Sequence, residues 1–209
     1  MNSHRQSHTL ASAPGLGRAP RAAHGLAALT AAVRAAVSQR ADWQDTGRLV
    51  ASALKQHLPP PNILTAEQRT GDPETYKSEV LHSEPDGSFS IVALVWLPGH
   101  VTPIHDHVTW CVFGVIQGIE WEELFELDEH RSCLVEAGYR LNRAGEVSGF
   151  APPGAIHRVR NAGDLAAISI HVYGTDVTRI GSSVRRYYDL PVQPSMPGSL
   201  NRMNRREGG

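Results

Sequence analysis

The hydrophobic positions of this chain change their spacing near residue 89. Before that point, apolar residues recur at helical spacing, at Leu26, Leu29, Val33 and Val37. Residues three and four apart share one face of a helix, so this stretch predicts an amphipathic helix. A second helix is predicted from about Thr46, and the three prolines at 59–61 end it. Both helices are expected to pack against the outside of the domain that follows.

From residue 89 onward the chain consists of short apolar or alternating runs separated by turn residues. The runs cover residues 89–97, 103–116, 120–127, 133–141, 146–151 and 166–173. Alternation with a period of two is typical of strands with one face buried. Asp86-Gly87 and Gln117-Gly118 supply turns between them. The pattern therefore predicts a mainly β fold that closes into a barrel, with helices at its N-terminal side.

Length and composition favour one domain with appendages. The 209 residues, 41% of them hydrophobic, suffice for one sizeable core. We expect a disordered leader at 1–24, a helical segment at 25–61, the β domain at 62–192 and a loose tail at 193–209. The net charge of −1 favours no nucleic-acid partner. The absence of a signal peptide or membrane span in the sequence, with only two cysteines, predicts a cytoplasmic protein without a membrane partner.

Two histidines one residue apart, His105 and His107, indicate a metal site. On a strand, residues i and i+2 point to the same face, so both imidazoles can aim at one point while Asp106 faces away. The flanking residues repeat the spacing of two motifs, the first being Gly99, His105, His107, Cys111 and Gly118, and the second Pro152, Gly154, His157 and Asn161. These resemble the two motifs of cupins, with cysteine where cupins usually carry glutamate. The resemblance implies a cupin double-stranded β-helix, or jelly-roll barrel, with His157 as the third ligand.

Three neutral imidazoles would leave the full double positive charge on a divalent ion. That arrangement favours anionic ligands from solution. Three protein ligands on one side also leave open positions, as in catalytic rather than structural sites. Zinc, manganese and nickel remain possible from the histidines alone, since geometry and availability decide selectivity more than ligand type.

A second polar group follows in the last long run. Ser169, His171 and Tyr173 alternate with apolar residues, so all three project from one strand face. A hydroxyl, an imidazole and a phenol in this order can form a hydrogen-bond relay that lines a pocket. The alternative is a polar strand face in contact with solvent. By contrast, we interpret the glutamates of the preceding run as a solvated strand face, namely Glu120, Glu122, Glu123 and Glu126.

Together, the two metal motifs, Cys111 and the relay resemble the thiol dioxygenases of the cysteine dioxygenase family, over about residues 76–173. The resemblance implies one Fe(II) per chain, held by His105, His107 and His157. It also implies that a small thiol and O2 react to give a sulfinic acid, with the relay as the catalytic group. Two other functions stay open: a cupin isomerase or hydrolase using another divalent metal, and a ligand-binding cupin without turnover.

The resemblance raises two questions about individual residues. In some members the cysteine equivalent to Cys111 forms a thioether crosslink to the relay tyrosine, here Tyr173. The alternative is a small buried cysteine. In the cysteine-specific members an arginine shortly after a tyrosine grips the substrate carboxylate, but no arginine follows Tyr76 here. The segment containing Arg185 and Arg186 resembles the carboxylate-binding segment of 3-mercaptopropionate dioxygenases.

A guanidinium matches a carboxylate in geometry and charge. Besides Arg185 and Arg186, the candidates for this role are Arg179 and Arg158, and the alternative for each is a solvated surface charge. On this basis the sequence favours a thiol carboxylate such as 3-mercaptopropionate ahead of cysteine.

Overall fold

The computed structural model describes residues 19–150 and 154–195. Two helices come first, α1 (Ala19–Val37) and α2 (Trp43–Gln56). Helix α1 thus begins within the expected leader; the rest of that leader, the motif residue Pro152 and most of the expected tail lie outside the described residues. Helix α2 begins three residues before Thr46 because the Asp42 side chain accepts a hydrogen bond from the Asp45 backbone N–H at 2.8 Å.

The strands of the described residues follow in chain order. They are β1 (Lys77–Ser83), β2 (Ser90–Trp96), β3 (His105–His107), β4 (Cys111–Gln117), β5 (Ile119–Asp128), β6 (Cys133–Arg143), β7 (Val147–Phe150), β8 (Ile156–Asn161), β9 (Ala167–Tyr173), β10 (Val184–Tyr187) and β11 (Val192–Gln193). A short helix, α3 (Val177–Ile180), separates β9 from β10. The run at 103–116 is two strands rather than one, and the sequence patterns missed β1, β8, β10 and β11.

The strands form two sheets that face each other. One has the order β1-β2-β9-β4-β7 and the other β10-β3-β8-β5-β6-β11. Neighbouring strands are antiparallel except for β11 beside β6. Sequence neighbours such as β4 and β5 lie in different sheets, so the chain winds between the sheets as in a double-stranded β-helix. The predicted mainly β cupin barrel with N-terminal helices is confirmed.

Both faces of the five-stranded sheet are buried. On its outer face, α1 and α2 pack Leu29, Val33 and Leu54 against residues such as Ile91 and Ile170. On its inner face, a second cluster that includes Trp96 and Tyr173 lines the barrel interior. Every residue of β2 and β9 is consequently buried, which explains why these runs are nearly continuous in apolar residues. The expectation that the helices cover the outside of the barrel is confirmed.

The tight turn between β4 and β5 depends on Gly118. Its φ is +76°, in the left-handed region that favours glycine, and a Cβ atom there would lie 2.8 Å from the Ala167 Cα. The turn therefore lets β5 cross to the second sheet close to the start of β9. Among the described residues, no helix combines the length and apolar character needed to cross a membrane.

Candidate active site

A cavity of about 370 Å³ opens between the two sheets. Its walls combine apolar side chains of the inner faces with hydroxyl-bearing residues such as Tyr76, Ser78 and Tyr187. The lining also includes the polar or titratable residues His105, His107, His157, Cys111, His171 and Tyr173. The fold thus brings the predicted metal ligands and the predicted relay to one cavity.

The three histidines meet because of strand register. His105 and His107 sit two residues apart on β3, and His157 on β8 is the antiparallel partner of His105. All three are buried, and their ring nitrogens lie within 4.8 Å of one another. The closest pair, His107 Nε2 and His157 Nε2, is 3.1 Å apart.

The outer nitrogen of each ring has an oxygen partner. Nδ1 of His105 lies 2.9 Å from the Pro103 carbonyl oxygen, and Nδ1 of His107 lies 2.9 Å from Ser183 Oγ. Nδ1 of His157 lies 2.8 Å from Glu122 Oε1. With Nδ1–H donating in each ring, the Nε2 lone pairs are left for a shared ligand. Oxygen partners of this kind orient metal-binding histidines.

Burial keeps the imidazoles of His105 and His107 uncharged. Burial is the largest cause that lowers the pKa of His105 to about 4 and that of His107 to about 2, and the neighbouring His157 contributes in the same direction. Neutral rings with free Nε2 lone pairs are the form that binds a metal ion.

The donor set fits a divalent transition metal. Two ligand nitrogens about 2.1 Å from one ion at a right angle stand about 3 Å apart, close to the 3.1 Å between His107 and His157. Because the three nitrogens come from one side, such an ion would keep positions open toward the cavity. The group therefore has the make-up of a catalytic rather than a closed structural site.

Strand β9 carries the predicted relay into the same cavity. Ser169 Oγ lies 3.0 Å from His171 Nε2, and the Tyr173 hydroxyl lies 3.4 Å from His171 Nδ1. All three residues are buried, so the solvent-facing alternative is wrong for this strand. Trp96 Nε1–H donates to Ser169 Oγ at 3.1 Å and anchors the far end. Burial raises the pKa of Tyr173 well above its usual value, so its hydroxyl stays protonated.

Cys111 is next to the relay. It is the antiparallel partner of Tyr173 across β4 and β9, and its Sγ lies 3.8 Å from His171 Nδ1. The thiol is buried and free of any disulfide. Burial raises its pKa well above the usual value, so it stays a thiol. The structure therefore places the cysteine and the tyrosine side by side on neighbouring strands.

The four candidate arginines lie elsewhere. None is among the residues that line the cavity in the described parts of the chain. Arg185 donates to the buried Asp106 on the opposite face of β3, and the Arg186 guanidinium carbon lies 4.6 Å from the Tyr188 ring centroid. The other two pair with carboxylates, Arg179 with Asp176 at 3.1 Å and Arg158 with Glu123 at 2.8 Å. The structure does not bring the predicted carboxylate-binding arginines to the cavity.

The expectation that the glutamates of β5 form a solvated strand face is wrong for two of them. Glu120 and Glu122 are fully buried rather than solvated. Their strand lies inside the six-stranded sheet, and its inner face carries them together with Leu124. The period of two that places these three residues on one face was visible in the sequence, but it does not tell which face of the strand is turned inward. Glu122 thereby becomes a partner of His157.

Comparisons with known proteins agree with this geometry. The family described as Cysteine dioxygenase type I matches residues 65–186, more than half of the chain. Cysteine dioxygenase type 1 from Rattus norvegicus is 29% identical over 96 residues, 44% of this chain and 48% of the relative. The Homo sapiens protein of the same name is 30% identical over the same extents. The chain thus spans about half the length of the curated relatives it matches.

Solved structures that resemble this chain share lower identity. An uncharacterized protein with a double-stranded β-helix domain from Klebsiella pneumoniae is 17% identical, with a TM-score of 0.42, over 53% of this chain and 85% of that one. A recombinant oxalate oxidase in complex with glycolate is 20% identical, with a TM-score of 0.40, over 51% of this chain and 54% of that one.

Proposed function

This chain belongs to the cysteine dioxygenase type I family, and from that premise we propose that it is a thiol dioxygenase with one Fe(II) per chain. The observation that carries the proposal is the buried group of His105, His107 and His157, whose outer nitrogens all have oxygen partners and whose ligand atoms lie within 4.8 Å of one another in the lining of the cavity. In the proposed reaction a thiol and O2 give a sulfinate and a proton, and both oxygen atoms end on sulfur.

Bound iron would supply a site where a thiolate and O2 bind side by side. The protein's part is to hold the reactants and exclude water. The inner walls beside the histidines are apolar, with Val92, Leu94 and Val159 among them. Tyr173 lines this cavity, and its protonated hydroxyl can donate a hydrogen bond to a bound reactant. Contact with His171 Nδ1 at 3.4 Å orients this hydroxyl.

The charge of the site supports a thiol carboxylate as substrate. Three uncharged ligands leave two positive charges on a divalent ion, which a thiolate and a carboxylate together balance. Arg185, Arg186 and Arg179 do not line the cavity, whereas the hydroxyl groups of Tyr76, Ser78 and Tyr187 do. We therefore propose 3-mercaptopropionate ahead of cysteine, with these hydroxyls rather than the arginines binding the carboxylate.

The test is oxygen uptake and sulfinate formation by the Fe(II)-loaded protein. Cysteine, 3-mercaptopropionate, cysteamine and mercaptosuccinate would be compared at equal concentration, with H157A as the variant that loses metal. Consumption of one O2 per sulfinate, abolished in H157A and slowed in Y173F, is the expected result. Stoichiometric binding of another metal without thiol-dependent oxygen uptake would instead favour the cupin isomerase or hydrolase, and full function of Y173F would favour a binding protein.

We also propose that turnover joins Cys111 Sγ to the Tyr173 ring. The step breaks the Cys111 S–H bond and one ring C–H bond of Tyr173 and forms one carbon–sulfur bond, while O2 takes up the two electrons and two protons as hydrogen peroxide. The two residues are antiparallel partners on neighbouring strands. The expected result is a peptide mass two hydrogens lower in protein that has turned over, absent in C111A. An unchanged mass in iron-loaded protein after many turnovers would contradict the crosslink.

A further inference from the structure

Glu120 is a buried carboxyl group without a partner. None of its surface is exposed, and within the described residues neither of its carboxyl oxygens has a hydrogen-bond partner. Asn142, its antiparallel partner on β6, is also buried, and its Nδ2 has no hydrogen-bond partner there either. Side chains of directly opposed residues lie about 5 Å apart at Cβ, so this amide is well placed to donate to one Glu120 oxygen.

The residue on the other side of Glu120 cannot serve in the same way. Asn161 on β8 is its second antiparallel partner. The Asn161 Nδ2 already donates to the Trp96 carbonyl oxygen at 3.0 Å and to the Leu165 carbonyl oxygen at 2.8 Å. Its Oδ1 accepts from the Gly163 N–H at 2.9 Å. Asn142 is therefore the neighbouring amide with a donor to spare.

Across the barrel, Glu120 faces the relay. Ser169, the first member of the relay, is a neighbour of Glu120. Its hydroxyl lowers the pKa of Glu120, whereas burial raises it. Burial, together with the nearby Glu122, raises the pKa of Glu120 to about 8. At neutral pH the group is therefore a carboxylic acid, which has one O–H to donate and one carbonyl oxygen to accept.

We infer that Glu120 is a positioning residue for Tyr173, because its acid group donates a hydrogen bond to Ser169 and so fixes the direction of every hydrogen bond in the relay. The inference rests on the proposed function. A small rotation of the carboxyl completes the bond, while the other oxygen accepts from Asn142. This arrangement accounts for three buried polar atoms at once, both Glu120 oxygens and Asn142 Nδ2.

Counting donors fixes the direction. Ser169 Oγ would accept from both Trp96 Nε1–H and Glu120, so its own O–H must donate to His171 Nε2. His171 then carries its proton on Nδ1 and donates to the Tyr173 oxygen. The Tyr173 O–H is thereby left to point at the reactants in the cavity.

An ionised Glu120 would reverse the chain. A carboxylate only accepts, so Ser169 would turn its O–H toward Glu120, and His171 would carry its proton on Nε2. The Tyr173 O–H would then donate back to His171 Nδ1 and leave the reactants without that donor. The acid form of Glu120 is therefore the one that supports the reaction.

The titratable groups of the relay, His171 and Tyr173, keep one protonation state around pH 8. The groups that face Glu120 are Ser169 on β9, Asn142 on β6, Asn161 on β8 and Glu122 on its own strand, and the charge of Glu120 also acts on Tyr173. Burial lowers the pKa of His171 to about 3, so that ring is neutral throughout. Arg140 lies beyond Glu122, with Nη1 3.8 Å from Glu122 Oε2. A change of relay direction between pH 7 and 9 would thus report on Glu120.

The test compares wild type with E120Q, E120L and the outward-facing control E123Q. Glutamine keeps an acceptor for Asn142 and a donor for Ser169 at every pH, whereas leucine removes both. The first measurement is the ¹⁵N chemical shift of the His171 ring in metal-free protein. We expect the Nδ1–H form in wild type at neutral pH, conversion to the Nε2–H form as pH rises through about 8, and a pH-independent Nδ1–H form in E120Q.

The second measurement is the pH profile of oxygen uptake. Wild type and E123Q should lose activity as Glu120 ionises, E120Q should keep its neutral-pH rate at high pH, and E120L should be slower by about tenfold at all pH values, the effect of about one misdirected hydrogen bond. A His171 ring that shows the same tautomer at every pH in wild type and E120Q would overturn the inference. Because the NMR measurement needs neither iron nor activity, failure of the dioxygenase assay alone would refute only the proposed function.

Discussion

Replacement of Glu122 tests whether His157 is a metal ligand oriented by a buried carboxylate. Glu122 is fully buried, and its Oε1 accepts the His157 Nδ1–H at 2.8 Å. E122Q keeps an acceptor of similar shape but removes the charge. E122L removes the acceptor, so the ring is free to change tautomer or rotate. Both variants leave the three histidines in place, and any loss of metal binding would therefore report on orientation.

The magnitude follows from the kind of contact. Loss of a hydrogen-bond partner behind a metal-binding histidine typically costs 10- to 100-fold in metal affinity, or about 1.4–2.7 kcal/mol. This agrees with about 1.5–3 kcal/mol for a hydrogen bond to a charged group. We expect E122Q to lose about tenfold, because a neutral acceptor remains, and E122L to approach a hundredfold.

Competition with a chelator under anaerobic conditions measures the affinity for Fe(II) directly. The matched control is E123Q, one residue along β5, where the carboxylate points outward and pairs with Arg158 at 2.8 Å. E123Q should bind Fe(II) like wild type. If E122L, confirmed as folded by circular dichroism, held iron as tightly as E123Q, then His157 would not depend on Glu122 and the assignment of this ring as a ligand would fall.

Three further outcomes concern stability, each measured by urea unfolding. Arg34 donates to Glu84 through two nitrogens at 2.8 and 2.9 Å and lowers the pKa of the Glu84 carboxyl. The stability that this ion pair contributes is present above the pKa of Glu84 in the unfolded chain and is lost as pH falls through the lowered folded-state pKa. R34A should therefore be less stable than wild type at pH 7 and equally stable in acid. R185A removes one partner of the buried Asp106 and should lower the free energy of unfolding by about 1–3 kcal/mol without changing KM. A raised KM would instead support Arg185 as the group that binds the substrate carboxylate. G118A should cost about 1–3 kcal/mol, because its Cβ meets the backbone of β9.

Much of the fold could be predicted because burial leaves a periodic trace. Runs such as β2 and β9 are apolar throughout since they are covered on both faces. The strands that were missed carry little of that trace. Strand β8 alternates buried residues with Arg158 and Arg160, and β10 is mostly exposed with two arginines. Such strands are held by their neighbours in the sheet, which local sequence does not reveal.

The residues of the site likewise divide into those that local sequence predicts and those that it does not. The spacing of His105 and His107 fixes their common face, because any strand places residues i and i+2 together. No comparable rule covered the arginines of β10. The pairing of β10 with β3 shifts register between Val184 and Arg186, and that irregularity decides which side chains reach the cavity. Arg185 meets Asp106, the residue of the metal motif that faces away from the histidines.

The buried carboxyls of β5 explain why the face of a strand is harder to predict than its existence. The period of two divides β5 into one face with Glu120 and Glu122 and another with Trp121, and hydrophobicity alone would turn the tryptophan inward. In the structure Trp121 stacks outside on Tyr139 with ring centroids 4.5 Å apart. Glu122 can face inward because His157, from a strand far along the chain, meets it there, and the inferred bond to Ser169 would do the same for Glu120. Burial of these acids is therefore a consequence of the site's chemistry, and it becomes predictable only once the two histidine motifs are known to share one barrel.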